Sequence, residues 1–196
     1  RRFTPADEDA ARPYAIVSAA SLIPRKRLHD LIEIVARLRL DRPWVRAAIA
    51  GQGPLLDELR AQASALGVAD AIDFLGQRSD VEDLYRSSRV FVLTTRSEGL
   101  SVAMSEAMAC GLPAVVSDVG DLGDLVSEGR NGHLLAVGDV AGFTERIAGL
   151  LDDPVRYRAA SQAAREDAVR HSGVERLTNV YRRILLDQPA HNGGRA

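Results

Sequence analysis

Apolar residues are distributed along the chain in two alternating rhythms. Unbroken runs of strand length stand at 14–20 (YAIVSAA), 44–51 (WVRAAIAG), 71–76 (AIDFLG), 89–95 (RVFVLTT), 113–119 (PAVVSDV) and 132–137 (GHLLAV). Between them, apolar positions recur at helical spacing, as with Leu28, Leu31, Ile32, Val35 and Leu38 in the segment 26–40. The same rhythm predicts helices over 55–67, 80–88, 140–151, 154–170 and 174–186. Gly67 is placed to close the first of these at its C′ position. A further helix is predicted to start near Ser101 and end at Gly111, with Pro113 barring its continuation. Residues 1–13 are polar, carry two prolines and read as a linker, whereas 188–196 read as a disordered tail.

Strands that alternate with helices and carry few charges belong in a parallel sheet covered on both faces. The expected fold is therefore α/β: a doubly wound, Rossmann-like parallel sheet of about six strands over 14–153, completed by C-terminal helices over 154–187. Ligands of such folds sit at the carboxyl ends of the strands, where the strand order reverses.

Composition narrows the function classes. With 196 residues, 46% apolar content and a net charge of −2, the chain has neither a basic stripe nor a polybasic run. Nucleic acid and membrane surfaces are thus not expected partners. Cys110 is the single cysteine, so no intrachain disulfide forms and no metal cluster is suggested. A reducing, cytoplasmic setting is the corresponding expectation. No apolar run reaches membrane-spanning length and no signal-peptide pattern opens the chain. Because it begins with Arg1, the chain is expected to be part of something longer. His29, His133, His171 and His191 lack metal-ligand spacing and read as surface or structural residues.

The segment 97–106, SEGLSVAMSE, holds the most pointed chemistry. The predicted helix start offers free backbone N–H groups to an anion, and Gly99 lets a ligand approach the backbone. Glu106 then falls within a helix otherwise built of Val102, Ala103, Met104, Ala107, Met108 and Ala109, which should be largely buried. A buried carboxylate needs donors, and no Lys or Arg lies within one helical turn. A ligand with vicinal hydroxyls would supply them; a distant arginine or a backbone N–H would serve equally. The segment 49–56, IAGQGPLL, offers Gly-x-Gly after a strand, but Leu56 stands where a third glycine would complete a dinucleotide fingerprint. A tight turn into a helix, with Pro54 near its first turn, is the better reading. Arg25, Lys26 and Arg27 follow the first strand, where a phosphate would sit; a solvated basic patch at a helix start is the plainer reading of those three.

Taken together, these segments resemble the C-terminal, donor-binding domain of retaining glycosyltransferases of family 4 (group 1), which have the GT-B architecture. The resemblance covers roughly residues 2–186. It is carried by SEGLSVAMSEAMACGLPAVVSDVG, with Glu98 and Glu106 as the two acids of an E-x(7)-E motif. GQGPLLDEL, IDFLGQRSDVEDLYRSSRVFVLTT, LVSEGRNGHLL and GDVAGF stand around it in family order. The resemblance implies that Glu106 accepts hydrogen bonds from ribose hydroxyls and that Glu98 holds hydroxyls of the donor sugar. It implies that the backbone of Gly99, Leu100, Ser101 and Val102 faces sugar and diphosphate. Lys26 would meet the distal phosphate and stabilise the leaving nucleotide, and the stretch around Arg78 would line the base. The family usually has arginine where Ser21 stands, which leaves Arg25 or Arg27 to take its place. The glycine pair common before the next helix is altered to Gly120-Asp121.

The implied activity is retaining transfer of a hexose from a nucleotide-diphosphate sugar, without metal or other cofactor, in the cytoplasm of a bacterium. RFTP at 2–5 resembles the segment just past the hinge between the family's two domains. The acceptor-binding N-terminal domain would then be absent, and with it any peripheral membrane contact. Alone, this half is expected to hold the donor but not to transfer. Two further readings stand beside this one: a nucleotide-binding partner module without catalysis, which Ser21 favours, and a sugar-nucleotide epimerase, which the spacing of the two acids disfavours.

Overall fold

Successive residues of a strand face opposite sides of a sheet, and here both sides are filled. The computed structural model describes residues 2–7, 10–99 and 101–171. Six strands, β1 (Tyr14–Ala19), β2 (Ala47–Ala50), β3 (Ile72–Gly76), β4 (Ser88–Leu93), β5 (Ala114–Ser117) and β6 (Gly132–Leu135), form one sheet in the order β3-β2-β1-β4-β5-β6. Every pairing is parallel. The helices are α1 (Leu28–Asp41), α2 (Leu56–Ala65), α3 (Val81–Arg86), α4 (Val102–Ala109), α5 (Val140–Asp152) and α6 (Pro154–His171). The segment 174–186, predicted helical, and the tail 188–196 lie outside the described residues.

Strand β4 shows how the sequence builds two cores at once. Val90 and Val92 pack on one face with α1 and α5, while Phe91 and Leu93 pack on the other with α3, α4 and α6. Ile16 and Val17 of β1 divide in the same way. Helix α1 is fully amphipathic, with Leu28, Leu31, Ile32, Ile34, Val35 and Leu38 all buried. Each such side chain contributes about 1.5–3 kcal/mol over leaving it in water. Helix α4 instead packs through small and flexible groups, Met104, Ala107 and Met108, against the Ala164 and Ala168 stretch of α6.

Two element starts differ from the sequence pattern for local reasons. The run 44–51 enters the sheet only at Ala47, because the Val45 N–H donates to the Arg42 carbonyl in a turn that leaves Trp44 exposed. Helix α1 begins at Leu28 rather than 26, because Pro24–Lys26 form a 3-10 turn that ends in Arg27 at φ 49°. A left-handed arginine is uncommon and costs about 1–3 kcal/mol. Here the bond from the Arg27 N–H to the Pro24 carbonyl and the Arg27–Asp30 pair hold it.

The opening segment is docked on the molecule. Phe3 lies against Tyr85 with ring centroids 6.5 Å apart, and Arg165 donates to the Phe3 carbonyl at 2.8 Å. No helix among the described residues is long and apolar enough to cross a membrane. Among the same residues, no group of His, Cys, Asp and Glu is arranged to hold a metal ion.

Candidate functional site

The strand order reverses between β1 and β4, whose following helices lie on opposite faces of the sheet. The crevice outside their carboxyl ends is bounded by the basic turn 24–27 on one side and by residues 94–101 on the other. Strand β4 ties these two loops together. The Thr94 hydroxyl donates to the Arg27 carbonyl at 2.9 Å, the Thr95 hydroxyl lies 3.2 Å from the Arg25 carbonyl, and the Arg96 N–H donates to the same carbonyl at 2.8 Å.

Across this joint the structure brings Lys26 and Glu98 into a direct ion pair, with side chains only 12% and 14% exposed. Lys26 is the only lysine in the chain among 25 basic residues, a signal that the composition held and the sequence reading passed over. Behind Glu98 stands Gly120, at φ 56°, where a β-carbon would fall 1.8 Å from the Glu98 carbonyl oxygen. The altered Gly120-Asp121 pair thus keeps the glycine that lets the Glu98 backbone pack closely.

Helix α4 opens at Ser101, whose hydroxyl accepts from the Met104 N–H at 3.3 Å. Gly99 has open space where a side chain would point. Val102 is 65% exposed at the start of α4, whereas Met104, Ala107 and Met108 are buried, so the helix is buried along one side as the composition implied but leaves its first residue outward. Leu100 lies outside the described residues.

Glu106 is half-buried on this helix. Its pKa is raised, first by loss of hydration and further by Glu82, while Arg2 acts in the opposite direction. The sequence left open a distant arginine without naming one; Arg2 acts on Glu106 from across the fold, but its guanidinium is bound to Glu82 at 2.9 Å and to the Ser79 carbonyl. No hydrogen bond relieves the Glu106 carboxylate among the described residues. Nearby, burial pushes the Cys110 thiol up to about 11, which leaves it unreactive at neutral pH.

Other residues singled out from sequence have different placements. Arg78, after β3, is a solvent-side fork on Asp80, bonded through Nε at 2.8 Å. Ser21 is exposed on the loop after β1. The Gly51 and Gly53 loop is packed against neighbouring backbone. A β-carbon on Gly51 would fall 1.9 Å from the Ala20 carbonyl oxygen, and one on Gly53 2.3 Å from that of Leu22. These glycines exist so that the loop can lie against the backbone after β1, with Leu22 N–H donating to the Gln52 carbonyl at 2.9 Å. His133 is buried in β6, 2.7 Å from Glu128 through Nδ1, and His29 meets Glu58 at 2.9 Å.

Comparison with known proteins gives this geometry a context. A family model for glycosyl transferases group 1 matches residues 3–167. The chain is 30% identical over 187 residues to the lipopolysaccharide core biosynthesis glycosyltransferase LpsE of Rhizobium meliloti, covering 95% of this chain and 52% of that protein. It is 27% identical to the N-acetyl-alpha-D-glucosaminyl L-malate synthase of Bacillus anthracis, covering 83% of this chain and 42% of the relative. Among solved structures, Anabaena HepE in complex with UDP-glucose superposes with a TM-score of 0.81 at 26% identity, over 89% of this chain and 49% of that one. The chain spans about half the length of the curated relatives it matches.

Proposed function

The chain belongs to the group 1 glycosyl transferases, and from that premise we propose that its switch-point crevice binds a nucleotide-diphosphate sugar for transfer with retention of configuration. Glu106 receives the ribose hydroxyls, Glu98 the hydroxyls of the sugar, and Lys26 the distal phosphate, where it offsets the charge that develops on the leaving nucleotide. The backbone around Gly99–Val102 faces the diphosphate, and the stretch beginning at Arg78 lies toward the base. No metal takes part in this reading.

One observation carries it: Glu106 is a partly dehydrated carboxylate with no hydrogen-bond donor among the described residues, on the helix that begins beside the Lys26–Glu98 pair. A ligand with vicinal hydroxyls removes that cost. HepE, at 26% identity, was solved with UDP-glucose, which supports a nucleotide sugar as the class of ligand. The acceptor site belongs to the half that the relatives have and this chain does not span. Reaction requires donor and acceptor to be held together, a contribution of roughly 7–11 kcal/mol. Donor binding is therefore the activity proposed for these 196 residues.

A second reading, a nucleotide-binding module without catalysis, is favoured by the uncharged Ser21. Calorimetric titration with uridine, guanosine and adenosine diphosphates and their glucose conjugates tests the proposal. Binding of at least one, tighter than its parent nucleoside, is expected. Absence of binding across the panel sinks the donor-site reading.

A further inference from the structure

Three consecutive basic side chains border the crevice, and their charges are committed in different ways. Lys26 is paired with Glu98. Arg27 is held by Asp30 through two bonds, Nε at 2.7 Å and a terminal nitrogen at 3.0 Å, and its guanidinium lies against Gly138, 3.2 Å from where a β-carbon there would stand. Arg25 pairs with no carboxylate among the described residues. Among the same residues its guanidinium makes a single bond, to the carbonyl oxygen of Ser97 at 3.0 Å, one residue before Glu98.

We infer that Arg25 is the guanidinium that receives the diphosphate of the donor, in place of the charge that Ser21 does not carry. The inference rests on the donor-site reading above. The Arg25 backbone is fixed, because its carbonyl accepts from the Arg96 N–H and the Thr95 hydroxyl. Its side chain is exposed and gives up only one bond among the described residues, to an uncharged carbonyl, in turning to a phosphate. The exchange replaces a single bond to an uncharged carbonyl with a forked pair of bonds to an anion, which matches the guanidinium in both charge and geometry. Arg27 has the opposite balance, since leaving Asp30 would strip two charged bonds and leave the carboxylate alone. Arg96 is also exposed, but no contact among the described residues directs its side chain toward Glu98.

Calorimetry with the diphosphate that the wild type binds, and with its parent nucleoside, separates the phosphate contribution from that of the nucleoside. Wild type, Arg25→Gln, Arg27→Gln, Arg96→Gln and Arg25→Gln/Ser21→Arg are compared, with melting temperatures to verify folding. Arg25→Gln should lower diphosphate affinity about tenfold and leave the nucleoside unchanged, while Arg27→Gln and Arg96→Gln change the ratio less than twofold. Adding Ser21→Arg should recover most of the loss. An unchanged ratio in Arg25→Gln, an equal loss for both ligands, or a loss as large in Arg27→Gln or Arg96→Gln overturns the assignment. A wild type that binds no diphosphate overturns the donor-site reading itself, a result distinct from all of these.

Discussion

The Gly51–Gly53 loop and the Gly99 loop both leave the carboxyl edge of the sheet and lead into helices, yet the first is filled with backbone and the second is open. Carbonyls of Ala20 and Leu22 occupy the space beside Gly51 and Gly53, whereas nothing lies within 4 Å of a β-carbon on Gly99. The same residue type therefore serves stability in one loop and leaves room for a ligand in the other. Chemistry follows the difference: the open loop carries Glu98 and leads to Glu106, while the filled loop presents only Gln52, bonded to Gln77 at 3.0 Å.

Substitutions can break this contrast, and the largest effect is expected at Gly51. Alanine there meets a carbonyl that cannot move aside and must also adopt φ 146°. A loss of about 3 kcal/mol or more is expected, which lowers Tm by roughly 6–12 °C in a domain of this size. Thermal unfolding checks it, and a Tm within two degrees of wild type would show that the loop is looser than its packing implies.

On the open side, Glu106→Ala removes charged hydrogen bonds worth about 1.5–3 kcal/mol, so nucleoside diphosphate affinity should fall roughly ten- to a hundredfold. Equal affinity by calorimetry would remove Glu106 from the site. Gly99→Ala is the counterpart of the Gly51 change. It should leave stability within about 0.5 kcal/mol while weakening the diphosphate about fivefold, an effect of ~1 kcal/mol. If Tm drops instead and affinity holds, the open loop is structural after all.

The smallest effect is a gain. Folding raises the Glu106 pKa, so the native state binds that proton more tightly than the unfolded chain does. The resulting cost is absent below the ordinary carboxylate range and complete once pH has risen past the raised value. Glu106→Gln should therefore melt about 1–2 °C above wild type at neutral pH, and the two should converge on acidification. Identical melting at both ends of the pH range would mean that the carboxylate is hydrated.

Much of this was legible in the chain. Runs such as RVFVLTT became strands because a sheet buried on both faces needs apolar residues at every position. The two acids were visible as charges out of place near an apolar helix. What sequence could not show is which residues meet across long separations. Nothing in IAGQGPLL says that Ala20 and Leu22 fill its glycines, and nothing in PRKR says that Arg27 turns to Asp30 while Lys26 turns to Glu98. The polar composition of the opening segment likewise hid the docking of Phe3 on Tyr85. Such contacts depend on tertiary geometry, and local pattern carries no record of them.

The hydroxyls of Thr94 and Thr95 give the site a shared origin of measurement. Lys26 and Glu98 stand 72 residues apart along the chain, and a separation of that length would ordinarily accumulate positional error from every element in between. Here the turn that carries Lys26 is clamped directly to the end of β4, and Glu98 follows a few residues beyond the same clamp. The distance between acid and base is thus indexed to one buried strand at the centre of the sheet. Motion in α2 or β3 can shift the outer loops without changing the calibration between those two groups.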